Sequence, residues 1–352
     1  MFSKFIIQKD ASILDALKVI SHIGGDPLTL FVVDSTNAVI GTLTDGDIRR
    51  SLINGSSLDV TVESIAFRNF SYLNASSYDV RQIHTAKEKG IELLPVLNDQ
   101  MQIVDVVNLK KQKSYLPIDA VLMAGGKGER LRPLTEKTPK PLLQMEGKPI
   151  IDYIVDHILS YGIRNISVTV NYLKEQIEEH FAEPVMDSTG SPTVKVKTVR
   201  EPKFLGTIGS LHYVKDLHND TVLLMNSDAI TDIDLEDYYL HFKQHEADMS
   251  VAAIPYTISV PYGIFELEGR DIKGVLEKPT YNYYANAGIY LIKRELLDLI
   301  PEGEFFNATD FMELLMQRGN KVIRFPLNGT WIDIGNPQEY KKATELVRHM
   351  KW

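Results

Sequence analysis

Short apolar runs alternate with segments of helical periodicity from about residue 115 to the end of the chain. The runs that predict strands are Ile118 to Ala124, Ile166 to Val170, Thr193 to Val199, Thr221 to Met225, Met249 to Ile254 and Gly288 to Ile292. The helical segments begin at Pro149, run through Leu173 to Phe181, and cover Leu235 to His245, Thr309 to Arg318 and Pro337 to Met350. This alternation favours an α/β fold with a mainly parallel sheet covered on both faces. Ligands of such sheets bind beyond the carboxyl ends of the strands.

The chain before residue 114 is organised differently, because two similar segments follow each other at an offset of about 64 residues. Each segment has an amphipathic helix followed by two apolar strands, and in the first copy these strands are Leu28 to Val33 and Val39 to Leu43. One copy alone cannot bury its apolar faces, so we expect the two to pack as a pair. The polar stretch Lys110 to Ser114 marks the junction. We predict one domain of residues 1–114, with repeats of about 1–57 and 58–114, and a second of residues 115–352.

The composition excludes several classes of protein. With 38 Lys and Arg against 47 Asp and Glu, the net charge is -9, which argues against nucleic-acid binding by broad phosphate neutralisation. The chain has no cysteine, so it forms neither disulfides nor thiolate metal sites. No apolar run approaches the ~20 residues of a membrane span, and charge comes too early for a signal peptide. We therefore expect a cytoplasmic protein that binds neither nucleic acid nor membrane.

The segment Gly41 to Arg50 of the first repeat resembles the ligand-binding motif of CBS modules. In that family, the matching Thr and Asp contact the ribose and phosphates of an adenine nucleotide, which implies this role for Thr44 and Asp47. The second repeat has Asn108 and Lys111 at these positions, so at most one good site is expected. Alternatively, Thr44 and Asp45 cap a helix and the pair only joins subunits. Either way, we expect a homo-oligomer.

A glycine-rich turn follows the first strand of the second domain, between Leu122 and Thr135. Glycines let the backbone approach phosphates and direct its N–H groups at them. No Gly-Lys-Ser/Thr follows, as a Walker loop requires, and Leu131 occupies the third glycine position of the dinucleotide fingerprint. Two arginines lie in the turn, and Lys140 stands between two prolines that stiffen the chain. These features indicate a phosphate clamp.

Together these motifs resemble the sugar-1-phosphate nucleotidyltransferases, from about Ile118 to the C-terminus. Later landmarks follow in that family's order: Glu201 to Gly209, Asn226 to Asp228, Tyr262-Gly263, Glu277 to Pro279, Asn286 to Gly288 and Trp331 to Asp333. The chain departs from the common pattern at Glu129 and Ser227, and neither change removes a group that the chemistry needs. The resemblance implies a Rossmann-like mixed sheet, a nucleoside triphosphate and a sugar 1-phosphate as substrates, and Mg²⁺ as cofactor.

The resemblance also implies a role for each landmark. The implied catalytic residues are Arg130, Lys140 and Asp228, and the implied Mg²⁺ ligands are Asp228 and Asp333. The implied nucleotide contacts are Leu122, Ala124, Gly125, Gly126, Gly128, Glu201, Gly206 and Thr207. The implied sugar-phosphate contacts are Gly263, Glu277, Lys278 and Asn286. Asp228 and Asp333 each follow an apolar run, where a carboxylate can also serve as a turn or helix cap.

Glu201 gives a clue to the nucleobase. An ionised carboxylate only accepts hydrogen bonds, and guanine offers N1–H and N2–H₂ side by side, so we expect GTP to be the favoured donor. Alternatively, Glu201 pairs on the surface with Arg200 or Lys203, and UTP, dTTP or CTP is the donor. Resemblance to CBS-fused guanylyltransferases of surface-glycan or nonulosonic-acid pathways implies an amino- or mannose-type hexose phosphate.

Two further functions share some of these sequence features. A catalytically idle nucleotide-sugar sensor could discard its metal carboxylates and clamp lysines, whereas this chain keeps them. A molybdopterin-type nucleotidyltransferase shares the early glycine loop, but the extension Leu131 to Thr135 and the segment Glu277 to Pro279 argue against it.

Overall fold

The computed structural model describes residues 2–186 and 194–349. Thr193 and Met350, the ends of a predicted strand and a predicted helix, lie outside these ranges. The chain divides into two compact units, the first reaching Leu116 and the second containing nearly all residues from Pro117 onward. In the described part of the chain, no helix combines the length and the apolar composition needed to cross a membrane.

The first unit contains two small sheets of the same design. Its strands are β1 (Ile6–Gln8), β2 (Thr29–Val33), β3 (Val39–Thr44), β4 (Leu73–Asn74), β5 (Leu93–Leu97) and β6 (Ile103–Asn108), and its helices are α1 (Ile13–Ser21), α2 (Asp45–Ile53) and α3 (Arg81–Glu88). The sheets have the orders β1-β2-β3 and β4-β5-β6, each with one parallel and one antiparallel pair. The register shifts between Val32 and Val33 in one, and between Val96 and Leu97 in the other. The two halves of this unit thus share the same strand order and the same pairing pattern.

The two repeats share one hydrophobic core. Leu30, Phe31 and Leu43 of the first repeat are fully buried, and Leu93 and Leu97 of the second repeat belong to the same cluster. The apolar faces of both copies are thus buried by joint packing, as expected of a unit too small to bury them alone.

The segment that resembles a CBS motif forms the start of α2. Thr44 is its N-cap residue, and Thr44 and Asp47 form a capping box in which each side chain accepts from the backbone N–H of the other. The Thr44 hydroxyl also donates to Asp47 Oδ2 over 2.6 Å. The helix-capping alternative therefore describes Thr44, whereas Asp47 and not Asp45 completes the cap, and Asp45 pairs with Arg49 instead. A nucleotide role for Thr44 and Asp47 stays a prediction.

The matching position of the second repeat has a different arrangement. Asn108 ends β6 and donates to Asp26 Oδ1 over 2.9 Å, and the Lys111 ammonium lies 2.8 Å from the same oxygen. Both side chains thus contact the first repeat, and no helix follows β6 there in the described chain.

The second unit is built around a seven-stranded sheet. The strands of the unit are β7 (Asp119–Ala124), β8 (Gln144–Met145), β9 (Lys148–Pro149), β10 (Ile166–Val170), β11 (Lys197–Arg200), β12 (Thr221–Asn226), β13 (Ala229–Thr231), β14 (Met249–Ser259), β15 (Ile264–Glu268), β16 (Asp271–Leu276), β17 (Thr280–Lys293), β18 (Val322–Pro326) and β19 (Trp331–Asp333). Its helices are α4 (Ile150–Ser160), α5 (Lys174–His180), α6 (Leu235–Gln244), α7 (Ala308–Gln317) and α8 (Pro337–Val347).

The large sheet has the order β11-β10-β7-β12-β17-β14-β18. All of its pairs are parallel except those that β17 makes with β12 and β14. The predicted mixed, mainly parallel sheet is therefore confirmed. The strand β7 lies between β10 and β12, so the turn that follows Ala124 leaves from the carboxyl edge of the parallel strands.

Two strands extend well beyond their predicted ends. The prediction ended β14 at Ile254 and began β17 at Gly288, whereas the two strands remain paired as far as Ser259 and Thr280. Between them, β15 and β16 form an antiparallel hairpin. The extensions of β14 and β17 and the strand β15 were missed because their apolar side chains alternate with polar ones instead of forming a continuous buried run. The segment Ile272 to Leu276, in contrast, has a strand-like sequence and lies within β16.

The capping box of α2 gives a testable prediction. Replacing Thr44 with Ala removes the acceptor for the Asp47 N–H, and loss of such a cap costs about 0.5–2 kcal/mol. We expect calorimetry of the full chain to show a lower melting temperature for Thr44→Ala. Thr44→Ser keeps the acceptor and should melt close to the unsubstituted protein. Equal melting of the Ala and Ser variants would contradict the capping role.

Candidate active site

The glycine-rich turn is held in place by contacts within its own segment. Gly128 has φ +61°, and a Cβ added there would lie 3.0 Å from Thr135 Cγ2 and 3.2 Å from Lys140 Cβ. The Thr135 hydroxyl donates to the Gly128 carbonyl over 2.8 Å. The predicted nucleotide contacts Leu122 and Ala124 are almost fully buried in β7, so their side chains pack beneath the turn. A ligand would reach this part of the chain through the glycines.

The glycines differ in their surroundings. A Cβ on Gly125 would lie only 2.5 Å from Glu201 Oε1, so the turn and this carboxyl are in direct contact. A Cβ on Gly126 would meet no heavy atom of the described residues within 4 Å. One side of the turn is therefore closed by Glu201, and the other is open to a ligand.

Four charged side chains predicted to act together lie in one cluster. The Lys140 ammonium, only 8% exposed, forms an ion pair with Asp228 Oδ2 and lies 3.9 Å from Asp333 Oδ1. Arg130 lies beside Gly335, since a Cβ there would be 3.1 Å from its guanidinium nitrogen Nη1, and its charge acts to lower the pKa of the nearby Asp333. The structure thus brings Arg130, Lys140, Asp228 and Asp333 together at the carboxyl edge of the sheet.

Local strand pairing positions the two carboxylates. Asp228 lies between β12 and β13, and β13 pairs with β19 so that Ala229 faces Asp333. The Ile334 N–H donates to the Asp228 carbonyl over 3.2 Å, and the Ser227 hydroxyl donates to the Met123 carbonyl over 2.6 Å. These contacts fix both carboxylates next to the end of β7.

The carboxylates fit a divalent cation. Asp228 Oδ1 is buried and has no hydrogen-bond partner among the described residues. Burial, followed by the Asp228 charge, raises the pKa of Asp333, although Lys140 and Arg130 act in the opposite direction. No three His, Asp or Glu side chains in the described chain could hold a metal by themselves. Mg²⁺ is commonly held by one or two carboxylates together with substrate phosphates, which agrees with this donor set.

Glu201 is a buried carboxyl group, 5% exposed. Arg200 pairs with Glu178 instead, over 2.5 and 2.7 Å, so the alternative of a surface pair between Glu201 and Arg200 is wrong. Burial raises the pKa of Glu201, while hydrogen bonds from the Leu205 N–H and the Ser210 hydroxyl act to lower it. The Glu201 carboxyl therefore lies against the glycine-rich turn, and it has no cationic partner among the described residues.

The next two predicted nucleotide contacts have structural partners. Gly206 has φ +80°, and a Cβ there would lie 2.6 Å from the Phe306 carbonyl oxygen. The Thr207 hydroxyl accepts from the Ala308 N–H over 2.8 Å. Both residues therefore join this segment to the start of α7, and their contact with a nucleotide stays a prediction.

No hydrogen bond or ion pair in the described chain joins the predicted sugar-phosphate residues to the charged cluster. Gly263, Glu277 and Lys278 are exposed at the base of the β15–β16 hairpin. Glu277 Oε2 would lie 3.3 Å from a Cβ on Gly263, so these two residues are neighbours. Lys278 has a left-handed backbone, φ +45°, which is uncommon for a residue with a side chain.

Asn286 has its amide group engaged within β17. Its Nδ2 donates to the Tyr290 hydroxyl over 2.9 Å, and its Oδ1 accepts from the Gly288 N–H over 2.9 Å. A sugar would have to replace or share these bonds.

Glu339 is a member of the site that the sequence analysis missed. Its Oε2 accepts from the Gly335 N–H over 2.9 Å, and its charge acts to raise the pKa of Asp333. Its place in the first turn of α8, just after Asp333, is the signal that could have identified it.

A family model described as nucleotidyl transferase matches residues 119–349, most of the chain. The chain belongs to the nucleotidyl transferase family. The match begins after the first unit, so the CBS resemblance of that unit stays a prediction.

Curated relatives agree with the assignment to the nucleotidyl transferase family. A mannose-1-phosphate guanylyltransferase of Mycobacterium tuberculosis is 30% identical over 66% of this chain and 65% of that protein. A bifunctional protein GlmU of Methanococcus maripaludis strain C7 is 32% identical over 64% of this chain and 53% of that protein. Mannose-1-phosphate guanyltransferase beta-B of Xenopus laevis is 28% identical over 65% of this chain and 66% of that protein. The chain thus spans between about half and two thirds of the length of these relatives.

A solved structure shows the same fold. It is a candidate glucose-1-phosphate thymidylyltransferase from Bacillus anthracis in complex with sucrose, 23% identical, with a TM-score of 0.51. The superposition covers 67% of this chain and 97% of that chain.

The raised pKa of Glu201 predicts how stability depends on pH. The folded nucleotidyl transferase binds a proton at Glu201 more tightly than the unfolded chain does. Its free energy of unfolding therefore falls as pH rises from the ordinary glutamate pKa to the raised pKa, and above the raised pKa this loss of stability is complete. Glu201→Gln removes the ionisation and should therefore melt higher at about pH 8, by roughly 2–4 °C for each kcal/mol relieved. The advantage should vanish near pH 4.

Glu178 provides the control, because its hydrogen bond from Arg200 lowers its pKa. Glu178→Gln should lower the melting temperature at about pH 8 and lose this effect as pH falls through the lowered pKa. If the two variants shift the melting temperature in the same direction at about pH 8, the assigned environment of Glu201 is wrong.

Proposed function

We propose that the protein joins a nucleoside triphosphate to a sugar 1-phosphate and releases pyrophosphate. The observation that supports this function is the cluster of Arg130, Lys140, Asp228 and Asp333 beside a glycine-rich turn, in a chain of the nucleotidyl transferase family. The cluster lies where α/β sheets bind their ligands.

The proposed reaction is an in-line displacement at the α-phosphorus. A phosphate oxygen of the sugar 1-phosphate forms a new bond to this phosphorus, and the bond from the phosphorus to the oxygen bridging to the β-phosphate breaks. The electron pair of that bond leaves with pyrophosphate. The nucleophile is already an anion, so the protein's contribution is to position the reactants and neutralise charge.

The turn, Arg130 and Lys140 are each proposed to bind a different part of the triphosphate. N–H groups of the turn around Gly125, Gly126 and Gly128 hold the triphosphate. Arg130 is exposed and neutralises charge on the departing pyrophosphate, while the buried Lys140 does so at the α-phosphate.

Asp228 and Asp333 are the proposed ligands of Mg²⁺. The unpartnered Asp228 Oδ1 and the raised pKa of Asp333 both favour a cation at this position. Bound there, Mg²⁺ would neutralise phosphate charge and orient the phosphate oxygens.

The sugar phosphate is proposed to bind Gly263, Glu277, Lys278 and Asn286. Lys278 supplies a cation for the phosphate, and Glu277 supplies an acceptor for sugar hydroxyls. The hexose itself is proposed to be of the amino or mannose type, in line with the guanylyltransferases among the relatives.

GTP is the proposed donor. Glu201 is buried, contacts the turn and has no cationic partner among the described residues, so its carboxylate is available to the two adjacent donors of guanine. Uracil and thymine place carbonyl oxygens beside N3–H, and these would oppose an ionised carboxylate.

Arg130 provides the first test of the proposed function. Removal of one preorganised charge typically lowers turnover by about 10²–10³-fold, and we expect this for Arg130→Ala in a pyrophosphate-release assay. Arg318→Ala, a change of the same kind at an exposed arginine that follows α7, should keep most of the turnover. Retention of turnover by Arg130→Ala would exclude its role. Absence of release by the unsubstituted protein with any common triphosphate and hexose phosphate would favour the idle sensor.

Glu201 provides the test of base specificity. Glu201→Gln exchanges one acceptor for a donor, and the loss of a charged hydrogen bond costs about 1.5–3 kcal/mol, roughly a 10- to 100-fold decrease in kcat/KM for GTP. The measurement compares GTP, UTP, dTTP, CTP and ATP in both proteins. A preference of the unsubstituted protein for UTP or dTTP, or unchanged GTP use by the variant, would contradict the proposal.

A further inference from the structure

The second unit carries an extension with an unusually apolar surface, which we call the β-arm and define as residues 255–285. It consists of the outer parts of β14 and β17 and the β15–β16 hairpin. Of the large apolar side chains exposed in the described chain, 11 of 23 lie in this short segment. Such a contiguous apolar patch marks an interaction surface in a water-soluble protein.

In the hairpin, the apolar side chains share one face. Phe265 pairs with Val275 and Leu267 pairs with Ile272, and these four are 57–63% exposed. The acidic residues Glu266, Glu268 and Asp271 occupy other positions along the same two strands. Because side chains alternate between faces, Glu266 and Glu268 point away from Phe265 and Leu267.

The paired outer parts of β14 and β17 follow the same pattern. Tyr256 pairs with Tyr283 and Ile258 pairs with Tyr281, so these four side chains share a face. The polar pair Thr257 and Asn282, joined by a 2.9 Å hydrogen bond, lies on the other face.

A two-stranded ribbon is marginally stable by itself in water, so we expect the β-arm to pack against another protein surface. The four aromatic side chains on these faces, Tyr256, Phe265, Tyr281 and Tyr283, are 36–57% exposed, and at 150–250 Å² each they present roughly 300–500 Å² together. The exposed aliphatic side chains add several hundred Å² to this. The total approaches the ~800 Å² that each partner contributes to a standard protein interface.

We propose that the β-arm packs against the β-arm of a second copy of this chain, apolar face to apolar face about a two-fold axis. The eight side chains on these faces carry no charge at neutral pH, so identical faces can meet without burying an unpaired charge. The acidic side chains then remain in solvent. Those same carboxylates, in a chain of net charge -9, oppose docking on an anionic membrane.

The proposed contact also has a consequence for the site, and this part rests on the proposed function. Gly263, Glu277 and Lys278 adjoin the hairpin, so covering the β-arm would fix the segment that supplies the sugar-phosphate contacts. Loss of the contact should therefore raise KM for the sugar phosphate more than it lowers kcat.

Association is measured first, because it does not depend on activity. Leu267→Glu places a carboxylate in the apolar face, and sedimentation velocity should show at least a roughly tenfold weaker self-association. Met316→Glu on α7 is the control, since Met316 is 56% exposed and lies outside the β-arm. A monomeric unsubstituted protein, or equal association of both variants, would overturn the proposal. Equal association would instead favour assembly through the first unit.

Cysteine substitution tests which residues of the two β-arms lie close together, and it introduces no charge that could disturb the fold. The natural chain has no cysteine, so a single substitution can form only an intermolecular disulfide. Phe265→Cys, Leu267→Cys, Ile272→Cys and Val275→Cys are compared with Met316→Cys under mild oxidation. A disulfide needs Cα atoms within about 7 Å, so positions near the axis should cross-link and the control should not. Absence of cross-linking at all four positions would overturn the proposal, whereas association and cross-linking without pyrophosphate release would contradict only the proposed function.

Discussion

The ion pair between Lys140 and Asp228 is the interaction on which the site depends. A buried ammonium is costly unless a carboxylate compensates it, and removal of one partner from such a pair typically costs about 3–5 kcal/mol. This pair joins the segment after the glycine-rich turn to the end of β12. The β13–β19 ladder then brings Asp333 to the same position. Three distant parts of the chain are thus assembled around one lysine.

The cluster is electrically balanced before substrate binds, with two cationic and two anionic side chains. Under the proposed function, this balance of charge determines how a triphosphate can bind. A triphosphate brings several negative charges, and the carboxylates would repel it without an additional cation. The same two carboxylates provide the place for that cation, and the unpartnered Asp228 Oδ1 lies there. Arg130 and Lys140 are then free to interact with phosphate oxygens instead of neutralising the protein's own acids.

The sequence predicted the parts of the fold whose burial is complete, because burial on both faces produces a continuous apolar run. The runs Ile118 to Ala124 and Thr221 to Met225 differ from β7 and β12 by one residue each. The segment Ile166 to Val170 coincides with β10 and is buried throughout, although Ser167 and Thr169 interrupt its apolar residues. Most of the β-arm was missed because its large apolar side chains are exposed in the described chain, so they alternate with polar residues in the sequence. The charged cluster was predictable because each member follows a strand or a stiffened turn. The position of Lys278 relative to that cluster could not be predicted from the sequence, because it depends on how the exposed hairpin is placed.

Gly125 has a structural role in addition to the phosphate contact predicted for it. Its lack of a side chain was interpreted as access for phosphate, yet the structure also requires it because Glu201 occupies the space of a Cβ. A larger residue at position 125 would displace the carboxyl, and a displaced carboxyl would leave the contact with the turn. The conformation of the glycine-rich turn and the position of Glu201 therefore depend on each other. On the proposed function, the residue that selects the base and the backbone that holds the phosphates cannot move independently, which ties nucleotide specificity to nucleotide positioning.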